Sequence, residues 1–221
     1  MNFMTLKIKG NYTVTGRTVM TFMILTCLLV FYPLVTLSET TNISHPLSEE
    51  KIKMMNGEPV VILAKLNDGV TGVAGKIYIS APPQKVWEVL TDYNHQKNFI
   101  PNIIESGLIS DNGGEQVVVQ SGKSGILFFQ MKVTVKLKIR GEYLKYLGFQ
   151  QIAGDFKVYN GEWNLEDYPQ NHGTFLSYKS EVKPDFFAPA FIVRHVQKHV
   201  FPGVLSAIKA RAELTGLPIT N

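Results

Sequence analysis

Residues 126–140, ILFFQMKVTVKLKIR, alternate in character with a period of two. The odd positions are Leu127, Phe129, Met131, Val133, Val135, Leu137 and Ile139. The even positions from 130 are Gln130, Lys132, Thr134, Lys136, Lys138 and Arg140. Successive side chains of a strand point to opposite faces, so this run is a long strand with one dry face and one wet, basic face. Fully burying each such apolar side chain is worth about 1.5–3 kcal/mol. A slip of one residue would put the whole set in water, so the register is strongly specified. The chain must therefore build a sheet with one covered face, and another element must do the covering.

The last segment supplies that element. From about Ala190 to Thr215 the chain is too long for a strand. On a helical wheel Ile192, Val193, Val196, Val200, Val204 and Ile208 fall in one half, and Arg194, His195, Lys198, Lys209 and Glu213 in the other. That is an amphipathic helix, with Gly216 and Pro218 as its stop. Between the two lie more strand signals. EPVVILAKL (58–66) turns at Asn67-Asp68-Gly69 into VTGVAGKIYIS (70–80), a hairpin. Pro83 opens a helix over 83–91, and a second short helix near 93–99 ends at Pro101. Strands follow near 102–110, 115–121, 143–152, 154–166 and 173–183, with Gly122-Lys123-Ser124 read as a hairpin turn.

The N-terminus has a different character. Residues 1–18 are a basic n-region carrying Lys7, Lys9 and Arg17, and residues 19–37 hold no charge. About 19 residues of helix reach ~28 Å, close to the hydrocarbon core of a bilayer. Positive charge before this segment and Glu39 after it orient the remainder of the chain to the non-cytoplasmic side. An uncleaved membrane anchor and a cleaved export signal both fit. Residues 38–56 read as a linker and short helix, 57–216 as the folded domain, and 217–221 as a tail. The chain carries a net charge of +4, and the three cations before residue 19 leave the rest near neutrality. The basic balance is thus a targeting feature and no nucleic-acid partner is expected. The single cysteine, Cys27, lies in the apolar segment, so the folded part has no disulfide, thiol nucleophile or cysteine metal ligand.

Hairpin, short helices, antiparallel strands and a long terminal helix are satisfied by an α+β arrangement, a curved sheet with the helix across its open side. Such a sheet curves away from its helix and leaves a hollow suited to small apolar ligands. Several stretches carry a family resemblance: VAGKIYISAPPQKVWEVLTDYNHQKNFIPNI, then QIAGDFKVYNGEWNLE, GTFLSYKSEVKP and LSAIKARAE. Over roughly 57–216 the chain resembles the START-like (SRPBCC) superfamily, and within it the polyketide cyclase/dehydrase or coenzyme Q-binding group. The resemblance implies the helix-grip fold. It also implies either non-catalytic binding or carriage of a lipid, an isoprenoid quinone or a pigment-like molecule beside a membrane, or a cyclase/dehydratase acting on a polyketide-like substrate. Fold alone does not choose between them. Neither a cofactor nor a metal is expected.

The side chains expected to line the hollow are Trp87, Phe99, Phe129, Met131, Tyr146, Phe156, Trp163, Tyr178, Gln197 and Arg211. Core packing is the competing reading for each aromatic, and snorkelling past the sheet edge for Arg211 and Gln197. Phe156 and Trp163 differ in parity, so both face inward only if a bulge intervenes. His195 and His199 have a metal-like spacing but no accompanying His-Glu-x-x-His pattern, and read as solvated. Asp92 is expected to cap the second short helix. Asp155 and Glu162 lie at opposite parity and make no carboxylate pair. Lys132, Lys136, Lys138 and Arg140 form a stripe that is either a solvated face or a surface for anionic headgroups. Phe186-Phe187, between Pro184 and Pro189, makes an apolar loop suited to a bilayer or to closing the mouth of the hollow.

Overall fold

The computed structural model of the protein describes residues 49–126 and 129–216, with the side chains of all but 124–130, 215 and 216. The expected anchor at 19–37, the linker before residue 49, the tail and the Phe129 side chain lie outside the described residues. The described residues form one compact unit, which holds every described element and the core.

Among the described residues eight strands form one antiparallel sheet. They are β1 (Val60–Lys65), β2 (Thr71–Ile79), β3 (Ile103–Asp111), β4 (Gln116–Ile126), β5 (Phe129–Glu142), β6 (Tyr146–Gly154), β7 (Phe156–Tyr168) and β8 (Gly173–Pro184). Their spatial order is β1-β2-β8-β7-β6-β5-β4-β3. Three α-helices accompany them among the described residues: α1 (Glu49–Met55), α2 (Pro83–Thr91) and α3 (Ala190–Gly216). This is the helix-grip arrangement expected from the sequence, with α3 lying across the sheet.

The expected β1–β2 hairpin forms, with Val60 opposite Lys76 and Lys65 opposite Thr71. Pro83 occupies the first turn of α2, where its missing N–H costs nothing. Gly57, at φ 86°, ends α1 in the left-handed region that suits glycine. Beyond α2 the second short helix shrinks to a 3₁₀ turn, Gln96–Asn98. Asp92 does not cap it; its carboxylate meets the His95 ring nitrogen Nδ1 at 2.6 Å instead. Gly122-Lys123-Ser124 is no turn. Its residues sit inside β4, paired with Val133, Lys132 and Met131 of β5. Small and polar residues suggested a turn there, but continuous pairing with β5, with Gly122 also opposite Ile103 of β3, keeps the backbone extended.

The alternation in β5 holds where the sheet is covered. Val133, Val135, Leu137 and Ile139 are buried. Met131 shares their face yet is 43 % exposed. β6 pairs with β5 only from Val135 to Glu142, so Met131 lies past the end of its neighbour with only β4 beside it. On the wet face, Lys132 pairs with Glu105, and Lys138 and Arg140 pair with Glu115. Most of the basic stripe is thus matched by acids on β3 and at the start of β4.

Helix α3 continues through Pro202, whose missing N–H leaves the Lys198 carbonyl without its in-helix donor. Its buried residues are Val193, Phe201, Leu205, Ile208 and Ala212. The helix packs on β2 so closely that a Cβ built on Gly75 would lie 2.5 Å from Phe201 Cε1 and 3.0 Å from Leu205 Cδ1. Glycine at 75 is what lets helix and sheet approach to this distance.

Candidate ligand-binding cavity

The sheet and α3 do not close flush. Between them lies a cavity of about 350 Å³. One wall is aliphatic: Val133, Val135, Leu137 and Ile139 of β5 with Leu147 of β6. The opposite wall is aromatic: Phe149 of β6, Phe156, Tyr159 and Trp163 of β7, and Tyr178 of β8. Val196, Gln197, Val200, Phe201 and Val204 of α3 form the roof. Val89 and Leu90 of α2, with Tyr93 and Gln96 after it, close one end, and the 100–103 turn with Gly122 and Lys123 makes a lip.

The aromatic wall is self-supporting. Trp163 and Phe201 each lie 4.5 Å from Tyr178, centroid to centroid, and Phe149 stacks on Tyr178 at 5.9 Å. Phe156 and Phe149 flank Tyr159 at 5.2 and 5.3 Å. Such contacts, about 0.5–1.5 kcal/mol each beyond area burial, hold the rings in place whether or not a guest is present. Phe156 and Trp163 both reach this wall because the pairing of β7 with β8 shifts between Phe156 and Val158. The bulge that the sequence required for both to face inward is present.

Burial pushes the Tyr178 phenol well above the ordinary tyrosine range, with the nearby Tyr159 adding to the shift. Tyr159 is raised by burial too, against a hydrogen bond from Tyr178 that lowers it. Tyr93 is raised by burial and by the charge of Asp111, and its hydroxyl donates to Gln116 Oε1. Near it, Gln96 donates to the Leu90 carbonyl and accepts from Gln120 Nε2. All three phenols that line the space are therefore neutral hydrogen-bonding groups at neutral pH. Among the described residues that line it there is no carboxylate or imidazole, and Lys123 at the lip is the one cation.

Of the expected lining residues, Phe156, Trp163, Tyr178 and Gln197 line the cavity. Tyr146 does not. It is 40 % exposed and borders an open groove on the outer face of the sheet, beside Lys138, Arg140 and Glu162. Leu147 and Phe149 take the inward positions of β6, and apolar residues at both parities from Tyr143 to Phe149 hid this from the sequence. Met131 is exposed for the reason given above. Trp87 packs against the core from outside the cavity, edge-to-face with Tyr143 at 5.5 Å. Phe99 also packs on the core outside it, under the Arg211 guanidinium at 5.9 Å, so Arg211 stays at the surface as snorkelling implies. The sequence missed Phe149, Tyr159 and Phe201. Tyr159 was findable: it lies four residues before Trp163 on the same strand and so shares its face without any bulge.

His195 and His199 are exposed, with ring centroids 4.2 Å apart, and His199 Nδ1 donates to the His195 carbonyl. Among the described residues no three His, Cys, Asp or Glu side chains gather at one point. Asp155 is exposed and accepts from the Thr134 amide, while Glu162 faces the outer groove. Among the described residues no helix is long and apolar enough to cross a membrane.

A model of the family described as "polyketide cyclase / dehydrase and lipid transport" matches residues 79–209. No curated protein sequence matches the chain. Many solved structures share its fold. The Zhui aromatase/cyclase from Streptomyces sp. R1128 aligns with a TM-score of 0.59 at 15% identity, covering 69% of this chain and 99% of its own. A STAR-related lipid transfer protein from Xanthomonas axonopodis aligns at 0.52 and 16% identity, covering 69% and 98%. Human STARD10 aligns at 0.52 and 13% identity, covering 69% and 72%.

Proposed function

The chain belongs to the polyketide cyclase/dehydrase and lipid transport family, and on that premise we propose that it is a non-catalytic carrier of one small hydrophobic molecule. The observation that carries this reading is the apolar cavity of about 350 Å³ between β5–β8 and α3. Its size is at the low end of ligand sites. It suits a single ring system with a short chain, such as the head of an isoprenoid quinone, or one lipid chain, better than a two-chain lipid. The ring would stack on Trp163 and Tyr178, and the chain would run along Val135 and Leu137. Removing that apolar surface from water supplies the affinity, at about 25 cal/mol per Å².

The carrier works beside a membrane, where such molecules dissolve. The uncharged segment 19–37 supports this, as an anchor or as an export signal that delivers the domain to the non-cytoplasmic side.

A second reading, a cyclase or dehydratase, is favoured by one feature. The phenols of Tyr159 and Tyr178 face the same space and burial keeps them protonated, so they can donate hydrogen bonds to a carbonyl. The test starts from chain isolated from its native source, extracted and analysed by mass spectrometry. One apolar compound near one per chain, unchanged on incubation with the protein, fits the carrier. Turnover lost in Tyr178→Phe with affinity retained would establish the enzyme. Chain that is empty when isolated and takes up no apolar probe would sink both.

A further inference from the structure

The loop joining β8 to α3 holds an apolar surface that the fold does not use. Ala188 packs on the core, yet its neighbour Phe187 is 95 % exposed. One turn on, Phe191 is 65 % exposed. Positions 191, 194, 195 and 198 share one helix face, so Phe191 is followed along α3 by Arg194, His195 and Lys198. Arg194 Nη1 is buried with no hydrogen-bond partner. Neither Arg194 nor Lys198 forms an ion pair among the described residues.

This surface adjoins the cavity. Val196 and Gln197, on the next face of the same turns, line it. The loop is tied to the corner where β7 begins, Asp185 N–H donating to the Asp155 carbonyl, and Phe156 enters the cavity from that corner. The facing carboxylates are already engaged, Asp185 with Lys157 and Asp155 with the Thr134 amide. On the opposite lip Lys123 makes no ion pair among the described residues.

We propose that Phe187 and Phe191, flanked by Arg194 and Lys198, dock the mouth of the cavity onto a bilayer containing anionic phospholipid. The aromatic rings enter the headgroup–acyl boundary and the cations meet the phosphates. A second copy of the chain fits less well. Two side chains offer far less area than a stable dimer needs, and like cations would face each other across the two-fold. The proposal rests on the carrier reading for its purpose, since docking there opens the cavity toward the phase its guest dissolves in.

The test uses residues 46–221, which include the compact unit and its core, so that segment 19–37 contributes no membrane affinity of its own. It is sedimented with vesicles of phosphatidylcholine alone, and with vesicles in which a third of the lipid is phosphatidylserine. Binding to the anionic vesicles, weakened by salt, is expected. Phe187→Ser with Phe191→Ser should lower the partition coefficient at least about tenfold with thermal stability unchanged, since both rings are exposed. Arg194→Gln with Lys198→Gln should erase the preference for anionic vesicles. Wild-type partitioning of the serine variant would overturn the proposal. So would failure to bind either vesicle, or self-association that depends on Phe187. Guest content is measured in the same samples. Loaded chain that ignores vesicles sinks the docking and spares the carrier; empty chain that binds them does the reverse.

Discussion

Gly75→Ala tests the contact on which the cavity depends. The added methyl would lie 2.5 Å from Phe201 Cε1 and 3.0 Å from Leu205 Cδ1. Leu205 is fully buried, and Phe201 is held by Tyr178 at 4.5 Å and Trp163 at 6.3 Å. Neither neighbour can retreat without cost. Overpacking of this kind costs about 1–3 kcal/mol. At roughly 2–4 °C per kcal/mol for a domain of this size, the midpoint should fall by about 2–12 °C in calorimetry. The way out for the Phe201 ring is toward the cavity it lines, so affinity for an apolar probe should fall along with stability. Trimming the obstacle should relieve the clash. In a double-mutant cycle, Gly75→Ala in a Phe201→Leu background should cost less than Gly75→Ala alone, a coupling of about 0.5–3 kcal/mol. Wild-type stability for Gly75→Ala, or equal costs in both backgrounds, would refute the claim that glycine here sets the approach of helix to sheet.

Leu205→Ala, at a fully buried site, should lose about 2–5 kcal/mol in denaturant unfolding, with the m-value little changed. Val200→Phe, on the roof of the cavity, should lower guest stoichiometry in native mass spectrometry without lowering the melting midpoint, because it fills existing space. Tyr178, Tyr159 and Tyr93 all have folded-state pKa values raised above the ordinary value near 10. Their contribution to stability is complete below that value and is lost as pH rises beyond it, since the unfolded chain then ionises more readily. Chemical denaturation across pH 8–12 should show this fall, and Tyr178→Phe should reduce its slope.

How much of this was legible in the sequence depends on how each residue's surroundings are fixed. Neighbours in sequence were read well: the Asn67-Asp68-Gly69 hairpin, the proline-opened α2, and the buried face of β5 from Val133 to Ile139. What failed depended on distant partners. Met131 is exposed because β6 ends short of it, and nothing near residue 131 encodes that. Gly122-Lys123-Ser124 stays extended because the long β5 pairs with all three residues. The wheel of α3 centred on Val196, Val200 and Val204, yet the closest packing belongs to Phe201 and Leu205. The difference is a gap: the valines face the cavity, while Phe201 and Leu205 sit on Gly75. A wheel sorts apolar from polar but cannot separate a face that touches protein from one that faces a void. For the same reason Phe156, Trp163, Tyr178 and Gln197 could be placed inward from the sequence, while Trp87 and Phe99, equally apolar, pack outside.

The irregular pairing between Phe156 and Val158 has a bearing on how such a container could diversify. A strand of unbroken alternation commits all its inward residues together. The extra residue divides β7 into two stretches whose alternations are out of step, so the end near the mouth can change its inward-facing chemistry while Tyr159, Trp163 and Leu165 keep their places. Removing Lys157 would restore strict alternation with Phe156 two positions before Tyr159, so its ring would stay on the lining face while the stretch at the threshold a guest must cross lost its independence from the rest of the strand.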